Sequence, residues 1–248
     1  MNLQRLQMTD SPHCAITPSQ IISFGLAQLK QSSTYDLLMR LPMLAWSSAL
    51  ALISVVGLDQ YVRDADPALP SAVYSVNIAM RLSVIGYLAI LATTVIMRRQ
   101  PIGKARGVEP RISALIGTFL ITAVVLFPRC ELSLPLGVAS TFLILAGDGF
   151  AVVALIQLRR SFSIMPEARE LVTSGPYRFV RHPIYLAEEI ATIGSVLQFL
   201  SAWTAMLLVV QIAFQLRRIW NEEALLAEVF PQYATYKEKT ARVVPGIY

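Results

Sequence analysis

The chain has 248 residues, 55% of them hydrophobic and only 15% charged, with a mean hydropathy of +0.55. Such a composition excludes an ordinary water-soluble domain and points to residence in a bilayer. The formal net charge of +5 reads as membrane topology and attraction to anionic headgroups, and excludes the dense basic footprint of a nucleic-acid binder.

Residues 1–36 are expected to form an N-terminal cytoplasmic or interfacial extension. They lack the basic start, compact apolar core and small-residue cleavage site of a signal peptide. Within them "SQIISFGLAQLK" suits a helix lying on the membrane surface, although its periodicity is imperfect. The rest, 37–248, reads as one membrane domain without internal repeats.

A helix needs about 20 apolar residues to cross roughly 30 Å of hydrocarbon. Leu41 to Leu58 is uncharged and makes a short first span. Val73 to Met97 is interrupted only by Arg81, near enough to one end for its long side chain to snorkel. Ile112 to Phe127 is uncharged but short, and Leu132 to Leu158 holds only Asp148. The run from Ile184 to Leu216, broken only by Glu188 and Glu189, would extend about 50 Å as one helix. A hairpin of two short helices turning near Leu200 to Trp203 fits a bilayer better. The expected fold is all-α: about six transmembrane helices, the last two a short hairpin, followed by a cytoplasmic C-terminal helix.

Basic residues in short connections set orientation. "RRQPIGKARGVEPR" carries five basic residues and one acid, and Arg159, Arg160, Arg169, Arg178 and Arg181 follow the fourth span. These connections belong in the cytoplasm, and an even number of crossings puts both termini there too. Cys14 and Cys130 are isolated and fall on opposite sides, so no disulfide is expected, and with only His13 and His182 in the chain no multi-histidine metal centre is expected either.

Chemistry is therefore expected after the fourth span, in "TSGPYRFVRHPIY". Gly175 and Pro176 make a turn, and Pro183 prepares the first turn of the fifth span. Arg181 and His182 thus sit at a helix N-terminus, where free N–H groups and the helix dipole favour a carboxylate. The bland alternative is a cationic anchor at headgroup level. Beyond the hairpin, Glu222 and Glu223 lie just past the last apolar residue, near the same interface. An acidic pair is usually a solvated helix face, and Arg218 with Glu222 is an i,i+4 contact of minor worth; carboxylates at the mouth of a hairpin also suit a cationic or hydroxyl-bearing ligand.

"GPYRFVRHPIY", followed about 40 residues later by "RIWNEEALL" and then by "FPQYATYKEKTARVVP", resembles the isoprenylcysteine carboxyl methyltransferase family, which is related to membrane phospholipid methyltransferases. The resemblance covers roughly residues 130–248 and says little about the methyl acceptor. It implies S-adenosylmethionine bound at the cytoplasmic surface between the RHP segment and the C-terminal helix. The matching positions are Arg181, His182, Pro183 and Tyr185, then Glu222 and Glu223, then Arg242 and Pro245. Family members often carry Gly where this chain has Ala187, whose methyl would crowd a nucleoside.

Under that reading Glu222 and Glu223 accept hydrogen bonds from the ribose diol or the ammonium of the donor. His182, Arg181 and the helix-end N–H groups take its carboxylate, and Tyr185 offers a ring and a hydroxyl. Arg178 or Arg181 would favour the anion of a thiol acceptor. Glu189, one turn beyond Tyr185, is the candidate catalytic carboxylate lining the same pocket, ahead of Glu188. Asp148 either lines an acceptor cavity or bonds a neighbouring helix. The expected acceptor is a lipid-like amphiphile: the carboxylate or thiol of a prenylated cysteine-like compound, or a lipid. The rival classes are a sterol-type NADPH-dependent membrane reductase and a non-catalytic transporter.

Overall fold

The computed structural model describes residues 37–246 apart from 39, 66, 68 and 69. The expected N-terminal extension with its surface helix, His13 and Cys14 lies outside the described residues. From Arg40 onward the described chain forms one compact unit.

Helix α1 runs Leu41–Arg63, with a proline in its first turn where the missing N–H costs nothing. It leads to α2, Ser71–Met97. Helix α3, Glu109–Phe119, tightens into a 3₁₀ segment over Leu120–Leu126, and α4 spans Leu134–Leu158. These four are long and apolar enough to cross a membrane. Large apolar side chains such as Leu52, Ile53, Leu126 and Phe142 are more than half exposed on their outer faces, as expected where lipid is the solvent.

Beside them stands a helical hairpin, α5 (Pro183–Leu197) and α6 (Ala202–Val229). Its turn falls where the sequence suggested. Ser201 caps α6 through a reciprocal pair: Thr204 N donates to Ser201 Oγ at 3.2 Å, and Ser201 N donates to Thr204 Oγ1 at 2.9 Å. Past Leu216 α6 continues unbroken as a polar helix, and a short helix α7, Tyr233–Lys239, follows. The all-helical expectation misses one small feature. Two-residue strands β1 (Gly103–Lys104) and β2 (Glu167–Ala168) pair antiparallel, Gly103 opposite Ala168, and tie the loop after α2 to the loop after α4.

The closest packing is between α4 and α5, and glycines permit it. A Cβ on Gly147 would lie 2.5 Å from Ala191 N, and one on Gly194 would lie 2.8 Å from Ser140 O. Ser140 Oγ donates to Gly194 O at 2.7 Å, fixing the register. Helix α3 is held to α6 at its polar end, where Arg217 Nε and Asn221 Nδ2 donate to Glu109 at 2.7 and 3.1 Å. The hairpin is thereby clasped between α4 and α3, and its polar end meets the loop that follows α4.

Candidate active site

The RHP segment meets the chain's last residues. Arg181 N donates to Ala241 O at 2.8 Å and His182 N to Arg242 O at 3.1 Å, so these two N–H groups serve the tail. The side chains close the same joint. Glu223 receives Arg181 Nε at 2.8 Å and Arg242 Nε at 3.1 Å, and His182 Nε2 lies 3.3 Å from its Oε1. Arg181 Nη1 also donates to Lys237 O and Thr240 O, each at 2.8 Å. Burial alone would raise the Glu223 carboxyl, but the His182 hydrogen bond and the charges of His182, Arg181 and Arg242 outweigh it and hold it down at about 2.

Glu222, next in line on α6, faces elsewhere. Its Oε2 accepts from the Tyr185 hydroxyl at 2.5 Å, and both residues line a pocket at the polar end of α6. Its walls are the loop after α4, from Ser161 to Val172, with Tyr177, Tyr185, Tyr233 and Tyr236. Tyr236 donates to Tyr177 O at 2.6 Å, and burial raises its phenol to about 12. The loop's own charges are already paired: Arg169 Nη2 donates to Glu167 at 2.7 Å and its Nε to Arg99 O at 2.6 Å, and Arg99 in turn donates to Glu170.

The His182 ring stacks on the Tyr185 ring at 5.3 Å and 8°. Against Tyr185 also lies the Arg218 guanidinium, 4.6 Å from the ring centroid. Arg218 is only 2% exposed. Its Nη1 donates to Thr118 Oγ1 at 3.0 Å, and its Nε is buried with no partner among the described residues. Behind it opens a larger cavity among α1–α6, lined by Arg218, Tyr87, Asp148, Glu188 and mainly apolar side chains. Phe162 lines both spaces. A layer of single side chains, Tyr185 with Arg218 and Phe162, thus separates a pocket at the polar end of α6 from a cavity at bilayer depth.

Arg181, His182, Tyr185, Glu222 and Glu223 are brought together, Pro183 opens α5, and Arg242 joins them from the tail. Three expectations need correction. Glu223 is not among the residues that line the pocket, its oxygens being engaged by Arg181, Arg242 and His182, and Arg181, which does line it, spends Nε on Glu223 and Nη1 on the carbonyls of Lys237 and Thr240. Arg178 is exposed and lies over the Phe179 ring at 4.8 Å, away from both spaces. Glu188, not Glu189, lines the cavity: it accepts from Gln215 Nε2 at 3.1 Å and from the Tyr87 hydroxyl at 3.3 Å. Glu189 turns to Gln211 on α6, which donates to it at 2.8 Å. Asp148 both lines the cavity and accepts from Ser83 Oγ at 3.0 Å. Ala187 is fully buried and lines the central cavity, not the Glu222 pocket. Arg218 was missed because an i,i+4 partner of Glu222 reads as a surface pair; the sequence signal was its place one turn before that acid, on the face that meets Tyr185.

A profile of the family described as phospholipid methyltransferase matches residues 136–233, which include α5 and nearly all of α6. A protein-S-isoprenylcysteine O-methyltransferase A of Arabidopsis thaliana is 30% identical over 134 residues, 51% of this chain and 68% of that one. The chain belongs to the isoprenylcysteine methyltransferase family. The eukaryotic intramembrane Ras methyltransferase ICMT shares the fold, with a TM-score of 0.53 over 94% of this chain and 95% of that one, at 16% identity. A cobalt-zinc-cadmium resistance protein, CzcN, of Cupriavidus metallidurans is 36% identical over 80 residues, but the chain spans only 36% of its length. These matches lend no support to the reductase or transporter readings.

Proposed function

We propose that the chain transfers a methyl group from S-adenosylmethionine to a membrane-embedded amphiphile at the cytoplasmic face. The observation that carries this is the closeness of a polar pocket to a bilayer-level cavity, divided only by Tyr185, Arg218 and Phe162, side chains that part for the acceptor to meet the methyl carbon. The pocket suits a cationic nucleoside. It offers an accepting carboxylate, Glu222, and several aromatic faces, while its arginines, 169 and 181, are already committed to Glu167 and Glu223. That pattern fits a sulfonium donor better than the phosphates of a nicotinamide cofactor. When bound, S-adenosylmethionine supplies an activated methyl carbon.

The protein's part is alignment and exclusion of water, worth on the order of 7–11 kcal/mol in a well-oriented displacement. Glu222 and Tyr185 hold the donor side. Glu223, clamped by Arg181, His182 and Arg242, keeps the tail closed over the pocket. Arg218, which lines the central cavity, brings a cation to the acceptor side, where it favours an anionic atom. A carboxylate acceptor is already ionised at neutral pH, and a thiol, ordinarily near 8.5, is drawn toward thiolate by such a neighbour. The basic connections after α2 and α4 support six crossings with both termini in the cytoplasm. The Arabidopsis relative's name supports a prenylated cysteine-like acceptor.

The test is transfer of labelled methyl from S-adenosylmethionine to N-acetyl-S-farnesylcysteine by purified protein in lipid nanodiscs. Base-labile label in the organic phase supports a carboxylate acceptor. No transfer to this compound, its thiol analogue or the nanodisc lipid would overturn the reading.

A further inference from the structure

At the end of the bundle away from Glu222, two arginines form no ion pair among the described residues. Arg81, on the early part of α2, and Arg129, in the connection before α4, both line a second pocket, and both also reach the central cavity. None of the described residues that line the second pocket is a carboxylate. Arg81 lies over the Tyr61 ring at 4.7 Å, and its Nη1 donates to Gly57 O at 3.2 Å. Its Nε is buried with no partner among the described residues. Arg129 is exposed and lies over the Phe199 ring at 5.5 Å. Aromatic faces thus position two cations whose charge no acid of the pocket offsets, a costly arrangement at the edge of a bilayer unless an anion completes it.

We propose that Arg81 and Arg129 bind the phosphate of an anionic phospholipid. Guanidinium groups match phosphate oxygens in geometry and charge, and the pocket repeats, at the end away from Glu222, the basic inter-helix pocket that holds lipid head groups on the cytoplasmic side of other membrane proteins. The remaining walls select a lipid over a free anion. Val76, Leu134 and Val138 line the pocket and are 44%, 72% and 60% exposed, so the pocket opens onto an apolar outer face where acyl chains lie. The Ser133 hydroxyl, which does not cap α4, stands at the same mouth. The headgroup closes the central cavity at this end and leaves the acceptor to enter nearer Arg218. The site is independent of the donor pocket and stands whether or not the methyl-transfer reading does.

The test uses full-length protein, delipidated in dodecyl maltoside, with thermal unfolding and native mass spectrometry as readouts. Phosphatidylglycerol raises the unfolding midpoint by about 5 °C at saturation, and phosphatidylcholine with the same chains does not. Arg129→Gln, a change at an exposed side chain, reduces retained phosphatidylglycerol about tenfold while donor binding at the other end is kept. Arg81→Gln does the same but also loses the Gly57 contact, so Arg129→Gln decides. Equal shifts with both lipids, no shift with either, or an undiminished shift in Arg129→Gln would overturn the site. A shift of the same size with inorganic phosphate or glycerol 3-phosphate alone would overturn the lipid assignment.

Discussion

Replacing Glu223 by Gln removes the anion that Arg181, Arg242 and His182 share, and its cost follows from the structure. In the folded chain the carboxyl titrates at about 2, against an ordinary 4.5. Because the folded value is depressed, the contribution is complete above 4.5 and disappears as pH falls through 2. It amounts to about 3 kcal/mol at pH 7 and about 1 kcal/mol at pH 3. Breaking a buried pair by deleting one partner independently suggests about 3–5 kcal/mol. The damage is local first, since Glu223 joins α6 to Arg181 and Arg242. Hydrogen exchange at pH 7 reads it: the Arg181 and His182 amides, which donate to Ala241 and Arg242, lose on the order of 10²-fold protection in Glu223→Gln. At pH 3 the difference from wild type shrinks to several-fold. Undiminished protection at pH 7, or a larger difference at pH 3, would refute the clamp.

Tyr185→Phe keeps the ring against His182 and Arg218 but deletes the bond to Glu222; donor affinity measured by equilibrium dialysis falls about fivefold, near 1 kcal/mol, with the unfolding midpoint unchanged. Arg218→Lys retains donor binding but lowers kcat about 10²-fold, because the fork that spans Tyr185 and Thr118 is lost; a loss confined to donor affinity would contradict this. Gly147→Leu drives α4 from α5 and costs about 1–3 kcal/mol or the fold itself, whereas Gly149→Ala, inside α4 with nothing within 4 Å of the added Cβ, raises stability by about 0.5–1 kcal/mol.

The helices themselves were legible, since uncharged runs bounded by charges and prolines can only be spans or core in a chain of this composition. Runs read as 73–97 and 132–158 begin within two residues of helices α2 and α4 and share their ends. Less legible was which of two adjacent acids does which job. Neighbours on a helix point about 100° apart, so Glu222 and Glu223, or Glu188 and Glu189, face different compartments, and only the packing of α5 against α4 and α6 assigns the faces. Arg218 illustrates the same limit: its meaning lies in contact with Tyr185, 33 residues away across a turn. The Arg81 and Arg129 pairing escaped because charge counting by loops balances Arg129 against Glu131, which does not line the pocket.

The most direct measurement is equilibrium binding of labelled S-adenosylmethionine to the full chain in nanodiscs, comparing wild type, Glu222→Gln and Arg178→Gln. Saturable binding that Glu222→Gln weakens at least tenfold, and that Arg178→Gln leaves alone, is the predicted result. Absence of binding to the wild type, or equal affinity in Glu222→Gln, would place the methyl donor somewhere other than the pocket beneath Tyr185.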